Sequence, residues 1–237
     1  MSNYAQSPGP LENQLLAALP KAVYEALLPH LTPVSLGLGE VIYESDEQMT
    51  EVYFPTTSIV SLLYLMANGM TAEIGVVGFE GMLGIAIFLG GDTTPNRAVV
   101  QSAGNAYKMK VKTLRDKFEL GGPLQLLLLR YTQALITQIS QTAVCNRLHS
   151  VEQQLSRWLL LSHDRLRSND LVMTQDLISN MLGVRREGVT MAAQQLKNKG
   201  LISYVRGTIT VVNRKGLEKA VCECYQVVKT EYDRLLG

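Results

Sequence analysis

The 237-residue chain contains only three cysteines, three histidines and one tryptophan. Three thiols are too few for the disulfide set that stabilises small secreted domains, which favours a reducing, cytoplasmic environment. No apolar run approaches the ~20 residues that a membrane helix needs; the strongest candidate, residues 124–129, ends at Arg130. The first ten residues, MSNYAQSPGP, lack the basic stretch and apolar core of a secretory signal. No membrane partner is therefore expected.

The cysteines and histidines are also too sparse for the common prosthetic groups. An iron–sulfur cluster needs about four thiolates, and haem ligation is not favoured because His30, His149 and His163 are scattered. Cys222-Glu223-Cys224 is too short for easy disulfide closure and offers too few ligands for a metal site, so packing is its expected role. No metal site is predicted, and neither a nucleophile–base pair nor a Walker-type loop indicates an enzyme.

Charge is unevenly distributed, although the net charge is only +1. Residues 1–149 carry 9 Lys/Arg and 12 Asp/Glu, whereas residues 150–237 carry 13 and 9. Within residues 165–215 the counts are 9 and 3. Such segregation indicates either a polyanionic partner for the C-terminal third or a basic face that is simply solvated.

Two patterns divide the first 111 residues. Residues 10–30 have helical apolar spacing, punctuated by Pro20 and Pro29. From residue 33 to residue 111, short β-branched or aromatic runs alternate with Gly, Asn, Asp and Pro, which predicts an antiparallel barrel or sandwich. Asn68-Gly69 lies between two such runs and predicts a hairpin, because both residues tolerate positive φ.

Helical periodicity returns after Gly121-Gly122-Pro123 and continues to residue 148. A helix of ~25 residues is ~37 Å long, too long to be the internal helix of a small domain. It carries two adjacent stripes: Leu128, Tyr131, Leu135, Gln138, Thr142 and Cys145, and beside them Leu129, Thr132, Ile136, Ile139 and Ala143. We predict that this seam packs on the barrel and on the partner helix of a parallel dimer, with burial inside one chain as the alternative. Cys145 lies on the seam, where either packing or a redox cross-link between two chains would explain it.

Residues 174–200, TQDLISNMLGVRREGVTMAAQQLKNKG, have the pattern of a helix-turn-helix. Thr174 is a suitable N-cap for the first helix, Gly183 permits the sharp turn, and Val184 is expected to fill the corner. The residues expected on the buried face of the second helix are Val189, Ala192, Ala193 and Leu196. A preceding helix is predicted over residues 150–166, with Ser150 as its N-cap.

Charged residues lie where such a module contacts DNA. The second helix begins at Arg185-Arg186-Glu187, and its first turn is the part that enters the major groove, where Arg pairs bidentately with guanine and Glu accepts a hydrogen bond from cytosine. Residues 201–212, LISYVRGTITVV, predict a wing hairpin that turns at Arg206-Gly207. The residues expected at phosphates are Thr174, Gln175, Lys197, Lys199 and Arg206. A winged helix used for protein contacts is the alternative.

The order of these segments resembles that of the Crp/Fnr family of bacterial transcription regulators. The resemblance covers about residues 15–215 and is most specific over residues 173–203, where Arg186-Glu187 resembles the pair that the family uses to read bases. It implies an α+β fold: an N-terminal antiparallel β-roll (residues 1–122), a long dimerisation helix (123–149) and a C-terminal winged helix-turn-helix (150–237). Met191 stands where family members that share an operator often carry Arg, so guanine recognition at that point is lost.

The resemblance also implies a cyclic-nucleotide-binding sensor, but its phosphate cassette is altered. The matching positions are Gly81, Leu83 and Gly84. Met82 stands where the family has its ribose-binding carboxylate, and Ala98 replaces the hydroxyl beside the retained Arg97. Glu80 would restore a carboxylate only if the turn slips. High-affinity cyclic AMP binding is therefore not expected.

Cyclic di-GMP is the main alternative effector, because some relatives with a decayed cassette use it and because arginine suits phosphate pairing and guanine stacking. The candidate residues are Arg97, Arg130, Arg165 and Arg167, each of which is equally explained as an ordinary surface arginine.

The residues and the resemblance together predict an effector-controlled, homodimeric regulator that binds double-stranded DNA in the cytoplasm. RNA polymerase or another regulator is a further expected partner. The rival hypothesis is a cyclic di-GMP-binding protein that acts through contacts with another regulator. An enzyme is not expected.

Overall fold

The computed structural model describes residues 9–166 and 168–237. Its N-terminal segment contains two short helices, α1 (Gln14–Ala17) and α2 (Lys21–Leu27), with 3-10 turns at Pro10–Glu12 and Leu28–His30. Prolines set the limits of α2: Pro20 is its N-cap, and Pro29 lies in the turn that follows. Both stand where a missing N–H breaks no interior helical hydrogen bond.

Between residues 32 and 110 the chain forms seven strands: β1 (Thr32–Leu36), β2 (Val41–Tyr43), β3 (Glu51–Pro55), β4 (Ile59–Leu65), β5 (Thr71–Val77), β6 (Arg97–Ser102) and β7 (Gly104–Lys110). They form two sheets, in the orders β1-β7-β3 and β2-β6-β4-β5. Pairing on both sides of β7 is antiparallel, in the registers Thr32↔Lys108 and Glu51↔Lys110. In β3, Val52 and Phe54 are buried while Tyr53 between them is half-buried, the alternation expected when one face of a sheet covers the core. The antiparallel β-structure predicted for this region is confirmed.

The predicted hairpin at Asn68-Gly69 joins β4 to β5. Gly69 takes a φ of 81°, whereas Asn68 acts through its side chain, whose Oδ1 accepts a hydrogen bond from the Met70 N–H at 3.0 Å. The Met66 N–H donates to the Met70 carbonyl at 2.8 Å and closes the loop. The loop of residues 67–69 therefore combines a turn closed by the Gly69 N–H and the Met66 carbonyl at 2.8 Å, an Asx-type hydrogen bond at Asn68 and positive φ at Gly69.

Two helices follow the β-strands: α3 (Val111–Glu119) and α4 (Gly122–Leu148), which is 27 residues long. The first of the two predicted α4 stripes is buried along its whole length, from Leu128 to Cys145. In the adjacent stripe Thr132 is buried, but Leu129 and Ile136 are 44% and 50% exposed. The cross-link between two chains considered for Cys145 is wrong, because this thiol is 0% exposed and faces Cys222 of its own chain.

The C-terminal part contains helices α5 (Val151–Arg165), α6 (Gln175–Leu182), α7 (Arg186–Asn198), α8 (Arg214–Ala220) and α9 (Cys224–Leu236), and strands β8 (Asp170–Val172), β9 (Ile202–Val205) and β10 (Thr208–Val211). Ser150 caps α5 as predicted, in a reciprocal capping box with Gln153. The three strands form a sheet in the order β8-β10-β9, with Ile209 opposite both Leu171 and Tyr204. The strand β8 and the helices α8 and α9 were not predicted.

The chain divides into two compact units. One takes in Met1–Val60, Val77–Gln133 and Leu236, and the other takes in Ser61–Val76, Ala134–Leu235 and Gly237. Among the residues that the structure describes, no helix is both long enough and apolar enough to cross a bilayer.

Candidate nucleic-acid interface

The segment from α6 to α7 forms the predicted helix-turn-helix. Thr174 caps α6: its hydroxyl accepts a hydrogen bond from the Leu177 N–H at 3.2 Å. α6 ends at Gly183, whose φ of 65° permits the chain to reverse before α7. Val184, expected to fill the corner, is only half-buried.

The helix α7 separates an apolar face from a charged one. The residues predicted to be buried are all at most 3% exposed: Val189, Ala192, Ala193 and Leu196. On the opposite side, Arg185, Arg186 and Glu187 are exposed at the first turn. Met191, one turn further along, is 65% exposed. Because packing uses the apolar face, the charged first turn is available to a partner.

Arg186 pairs with the Asp176 carboxylate, a contact for which the sequence gives no local signal. Its guanidinium lies 3.2 Å from the Asp176 carboxylate, and both side chains are more than half exposed. Beside this pair, the Thr190 hydroxyl donates to the Gln175 amide oxygen at 2.9 Å and ties α7 to the start of α6. The Arg186–Asp176 pair is solvated and weak, so a stronger acceptor would readily displace Asp176.

The wing hairpin turns at Arg206-Gly207 as predicted. Both residues lie in the left-handed region, with φ of 49° and 80°, and join β9 to β10. The hairpin is anchored by the Tyr204 hydroxyl, which donates to the Met173 carbonyl at 3.1 Å, and by the Met173 N–H, which donates to the Gly207 carbonyl at 2.7 Å. Burial raises the pKa of Tyr204 despite the nearby Arg186 guanidinium.

These elements border one open concave surface, which we call the α6–α7–wing surface; it is lined by Thr174, Gln175, Asp176, Arg186, Tyr204, Arg206 and Gly207. The structure therefore brings together four of the predicted DNA-binding residues. Asp176 and Tyr204 also line it and were missed, because neither an acidic residue nor a tyrosine has the charge expected at a phosphate contact.

The two predicted lysines lie at the other end of α7, about 16 Å along the helix axis from its first turn. Lys197 is exposed. Lys199 is the C-cap, and its ammonium lies 2.5 Å from the Glu152 carboxylate of α5. Lys199 therefore joins two helices of its own chain, and would contact phosphate only after leaving Glu152.

Comparison with known proteins agrees with this geometry. Residues 153–220 match the family model described as the Crp-like helix-turn-helix domain. This segment is a Crp-like helix-turn-helix domain. No curated protein gives a sequence match to the chain.

Solved structures extend the likeness from the Crp-like domain to most of the chain. FixK2 from Bradyrhizobium japonicum is 19% identical, with a TM-score of 0.70 over 81% of this chain and 98% of its own. A CRP-family transcriptional regulator from Thermus thermophilus is 15% identical, with a TM-score of 0.65 over 86% and 98%. The c-di-GMP responsive global regulator CLP from Xanthomonas campestris is 14% identical, with a TM-score of 0.62 over 81% and 99%. At these identities the likeness shows the fold, and it confirms the α+β Crp/Fnr architecture.

The segment that resembles the family's phosphate cassette is built into the core. Met82, at the position of the missing ribose carboxylate, is 1% exposed, and Ala98 is 0% exposed. The Tyr131 hydroxyl of α4 donates to the Met82 carbonyl at 2.9 Å, and a Cβ on Gly81 would lie 2.5 Å from that hydroxyl oxygen. The glycine therefore serves close packing of the turn against α4. Glu80 is 8% exposed and accepts a hydrogen bond from the Gly78 N–H at 3.2 Å.

The candidate effector arginines that the structure describes each have different surroundings. Arg97 pairs with the Glu44 carboxylate at 2.9 Å, and Arg130 is exposed on α4. Describing Arg165 as a surface arginine is wrong: it is 6% exposed, donates to the Leu161 carbonyl at 2.7 Å and stands 5.9 Å from the centre of the Tyr232 ring. Arg167 lies outside the described residues.

A buried carboxylate lies in the same unit as the Crp-like domain. Glu73 of β5 is 7% exposed, and its Oε2 accepts a hydrogen bond from the Ser61 hydroxyl at 2.5 Å. Burial raises the pKa of Glu73 to about 7, although the Ser61 hydrogen bond and the charges of Arg157 and Arg165 oppose the rise. The sequence contains no local signal for this group, because its neighbours are up to 92 positions away.

Proposed function

We propose that the chain is a DNA-binding transcription regulator that acts as a homodimer under the control of a small-molecule effector. The observation that carries the proposal is the α6–α7–wing surface, on which the exposed first turn of a helix-turn-helix lies beside a basic wing tip. The local excess of positive charge across residues 165–215 supports a polyanionic partner.

Each residue of the surface has a defined part in this proposal. Arg185, Arg186 and Glu187 read base edges in the major groove, where Arg186 exchanges the Asp176 carboxylate for guanine acceptors. Thr174 and Gln175 at the start of α6, together with Arg206 on the wing, contact phosphates. Phosphate contacts position the module, and base contacts specify the sequence.

The wing supplies a direct test of this proposal. Replacing Arg206 by glycine removes one charge and suits the backbone, because Arg206 already has a φ of 49°. We expect Arg206→Gly to weaken binding to specific and scrambled duplexes by similar factors, and to lower the slope of log affinity against log salt by about 1 per subunit. Fluorescence anisotropy over a salt series measures both quantities. An unchanged salt slope would exclude Arg206 from the phosphates, and salt-insensitive binding of the parent protein would count against the DNA-binding function itself.

The exposed side of α4 supports a homodimer. Its exposed apolar side chains recur at helical spacing, opposite the buried stripe: Leu126, Leu129, Ile136, Val144 and Leu148. Such a row of apolar side chains on a 27-residue helix is typical of a helix that packs along a second copy of itself. Two Crp-like domains would then read half-sites about one turn of DNA apart.

Introducing a charge into this row is expected to break the dimer. Ile136→Asp would place a carboxylate in the apolar contact between the two α4 helices, and sedimentation velocity should show a shift from dimer to monomer at micromolar protein. Leu120→Asp is the matched control, because Leu120 is 79% exposed but lies outside α4. Equal dimer fractions in the two variants would place the dimer contact elsewhere.

The effector is proposed to be something other than cyclic AMP held by the usual cassette, because Met82 offers no carboxylate to ribose and Ala98 offers no hydroxyl to phosphate. Cyclic di-GMP is the alternative effector. The Xanthomonas protein of similar fold is described as c-di-GMP responsive. Calorimetry is expected to show no heat when cyclic AMP is titrated into the dimer; binding with one site per chain would contradict this.

In the rival proposal, the Crp-like domain binds another regulator instead of an operator. The excess of positive charge across residues 165–215 favours DNA over this rival, because a basic segment is attracted to a polyanion.

A further inference from the structure

Three cysteines and one histidine, distant in sequence, form a compact cluster in the unit that includes the Crp-like domain. The cluster consists of Cys145, His149, Cys222 and Cys224, and one candidate ligand atom from each residue lies within 4.8 Å of those of the other three. We propose that this cluster binds one zinc ion per chain. The site is separate from the α6–α7–wing surface and does not depend on the proposed DNA-binding function.

Two ligands come from the end of α4. Cys145 lies in its last turn, and His149 follows the final residue of the helix. The His149 N–H still donates to the Cys145 carbonyl at 3.1 Å, so the two side chains are one helical turn apart on the same face. The His149 carbonyl in turn accepts a hydrogen bond from the Gln154 side chain at 2.9 Å, which fixes the backbone that carries the imidazole.

The other two ligands come from the junction between α8 and α9. Cys222 lies between these helices, and Cys224 is the first residue of α9. Only Glu223 separates the two cysteines, and both of their Sγ atoms lie within 4.8 Å of the Cys145 Sγ and of a ring nitrogen of His149. The helix α9 is held alongside α4 by a further contact, in which the Gln138 amide donates to the Tyr232 hydroxyl at 2.9 Å.

Two of the ligand–ligand distances match a single tetrahedral ion, and no two of the four ligand atoms are more than 4.8 Å apart. Ligand atoms bonded at ~2.0–2.3 Å to one tetrahedral centre lie about 3.5–3.8 Å apart. The Sγ atoms of Cys145 and Cys222 are 3.6 Å apart, as are Cys224 Sγ and His149 Nδ1. Four thiolates around an iron–sulfur cluster would be spread by the intervening iron and sulfide ions, so this compact set favours a mononuclear site.

The chemistry of the ligands selects zinc. Three thiolates and one imidazole form one of the usual closed sets for structural Zn²⁺, whereas Mg²⁺ and Ca²⁺ require oxygen ligands. The three thiols are free and at most 4% exposed, and the His149 side chain is 15% exposed. Such burial leaves no open coordination position for a substrate, which indicates a structural site.

An outer carboxylate completes the arrangement. If Nδ1 of His149 faces the cysteines, its Nε2 points away, and Nε2 lies 3.4 Å from the Glu223 carboxylate. A carboxylate behind a metal-bound histidine fixes the orientation of the ring and makes the imidazole a better ligand. Glu223 itself is 76% exposed, so its replacement leaves both the core and the four ligands in place.

Metal content is the first test. The full-length protein, purified under reducing conditions without chelator from zinc-supplemented cells, is expected to contain one zinc ion per chain by mass spectrometry of the metal. Modification of the thiols with a mercurial should release that zinc to a colorimetric dye. The proposal would be overturned if the purified protein contained no zinc and, after reduction of any Cys145–Cys222 disulfide, still bound none.

The visible spectrum of bound Co²⁺ identifies the type of ligand in the second test. Co²⁺ added to reduced, metal-free protein is expected to produce thiolate-to-metal charge transfer and the visible bands of a tetrahedral ion. His149→Ala should lose most of the affinity, whereas His30→Ala, at an exposed histidine outside the cluster, should bind as the parent does. Glu223→Gln should keep the spectrum but lower the affinity about 10–100-fold.

Three results would contradict the assignment: tetrahedral bands that persist in His149→Ala, equal losses in His149→Ala and His30→Ala, or parental affinity in Glu223→Gln. Circular dichroism and gel filtration confirm that each variant is folded, and Glu223→Gln keeps the test informative if His149→Ala does not fold.

Discussion

Replacing Arg186 by alanine is expected to weaken binding to the specific operator by about 1–3 kcal/mol per half-site. In a dimer with two half-sites this corresponds to roughly a 30-fold to 20,000-fold loss of affinity. The reason is geometric: Arg186 lies at the first turn of α7, the part of the helix that reaches base edges, and guanidinium pairs bidentately with guanine. Its loss also leaves Asp176 on the surface without its cation.

The measurement needs two duplexes. An operator selected from random sequences and a scrambled duplex of the same length are titrated in parallel at fixed salt, with Lys215→Ala as the charge-loss control because Lys215 is exposed on α8, away from the α6–α7–wing surface. Arg186→Ala should reduce the ratio of the two affinities, whereas the control should leave it unchanged. An equal loss on both duplexes would assign Arg186 to phosphate rather than to a base.

Asp176 permits a complementary experiment on the same pair. Asp176→Asn removes a negative charge from the α6–α7–wing surface and frees Arg186. Binding to both duplexes should therefore tighten, the opposite sign to Arg186→Ala. Opposite effects of two substitutions within one ion pair would show that the pair is exchanged, not retained, on DNA.

The stability of the protein is expected to fall between about pH 4.5 and pH 7 because of Glu73. Its pKa is about 7 in the folded chain against an ordinary value of 4.5. Over this interval the folded state holds a proton that the unfolded state has released, so the contribution is fully present below pH 4.5 and is lost as the pH rises through 7. A shift of this size corresponds to about 3 kcal/mol.

Glu73→Gln isolates this contribution. The amide is neutral at every pH and its oxygen still accepts the Ser61 hydrogen bond, so the free energy of unfolding of the variant should rise relative to the parent as the pH increases from 5 to 8. Urea melts at several pH values measure it, with Glu119→Gln as the control because Glu119 is exposed. Parallel stability curves for the parent and Glu73→Gln would show that this carboxylate is ionised in the folded state throughout.

Local patterns were reliable where the structure depends on neighbouring residues. The caps at Ser150 and Thr174, the left-handed Gly183 and the wing turn at Arg206-Gly207 all depend on backbone conformations within a few residues, and each lies where the sequence places it. The buried face of α7 follows from helical period alone. The strand β8 was missed because a three-residue strand has too little pattern to identify.

Side-chain partners that are distant in sequence could not be predicted from local patterns. Arg186 with Asp176 and Lys199 with Glu152 are pairs 10 and 47 positions apart, and charge counting treated these residues as independent. Arg165 was mistaken for a surface arginine because its sequence neighbours do not reveal the buried Glu73 and Tyr232 side chains near it.

The amino-acid sequence by itself determined the Crp-like module and the placement of its charged first turn, because helical period, capping and turn chemistry act over a few residues. Only the tertiary structure decided which distant groups share a site. Cys145 and His149 are more than 70 positions from Cys222 and Cys224, and no local pattern records that the end of α4 meets the start of α9. Contact between segments so far apart depends on how the whole unit packs. Cys222 and Cys224 are too few ligands for a metal site by themselves, but in the fold they form half of a four-ligand cluster.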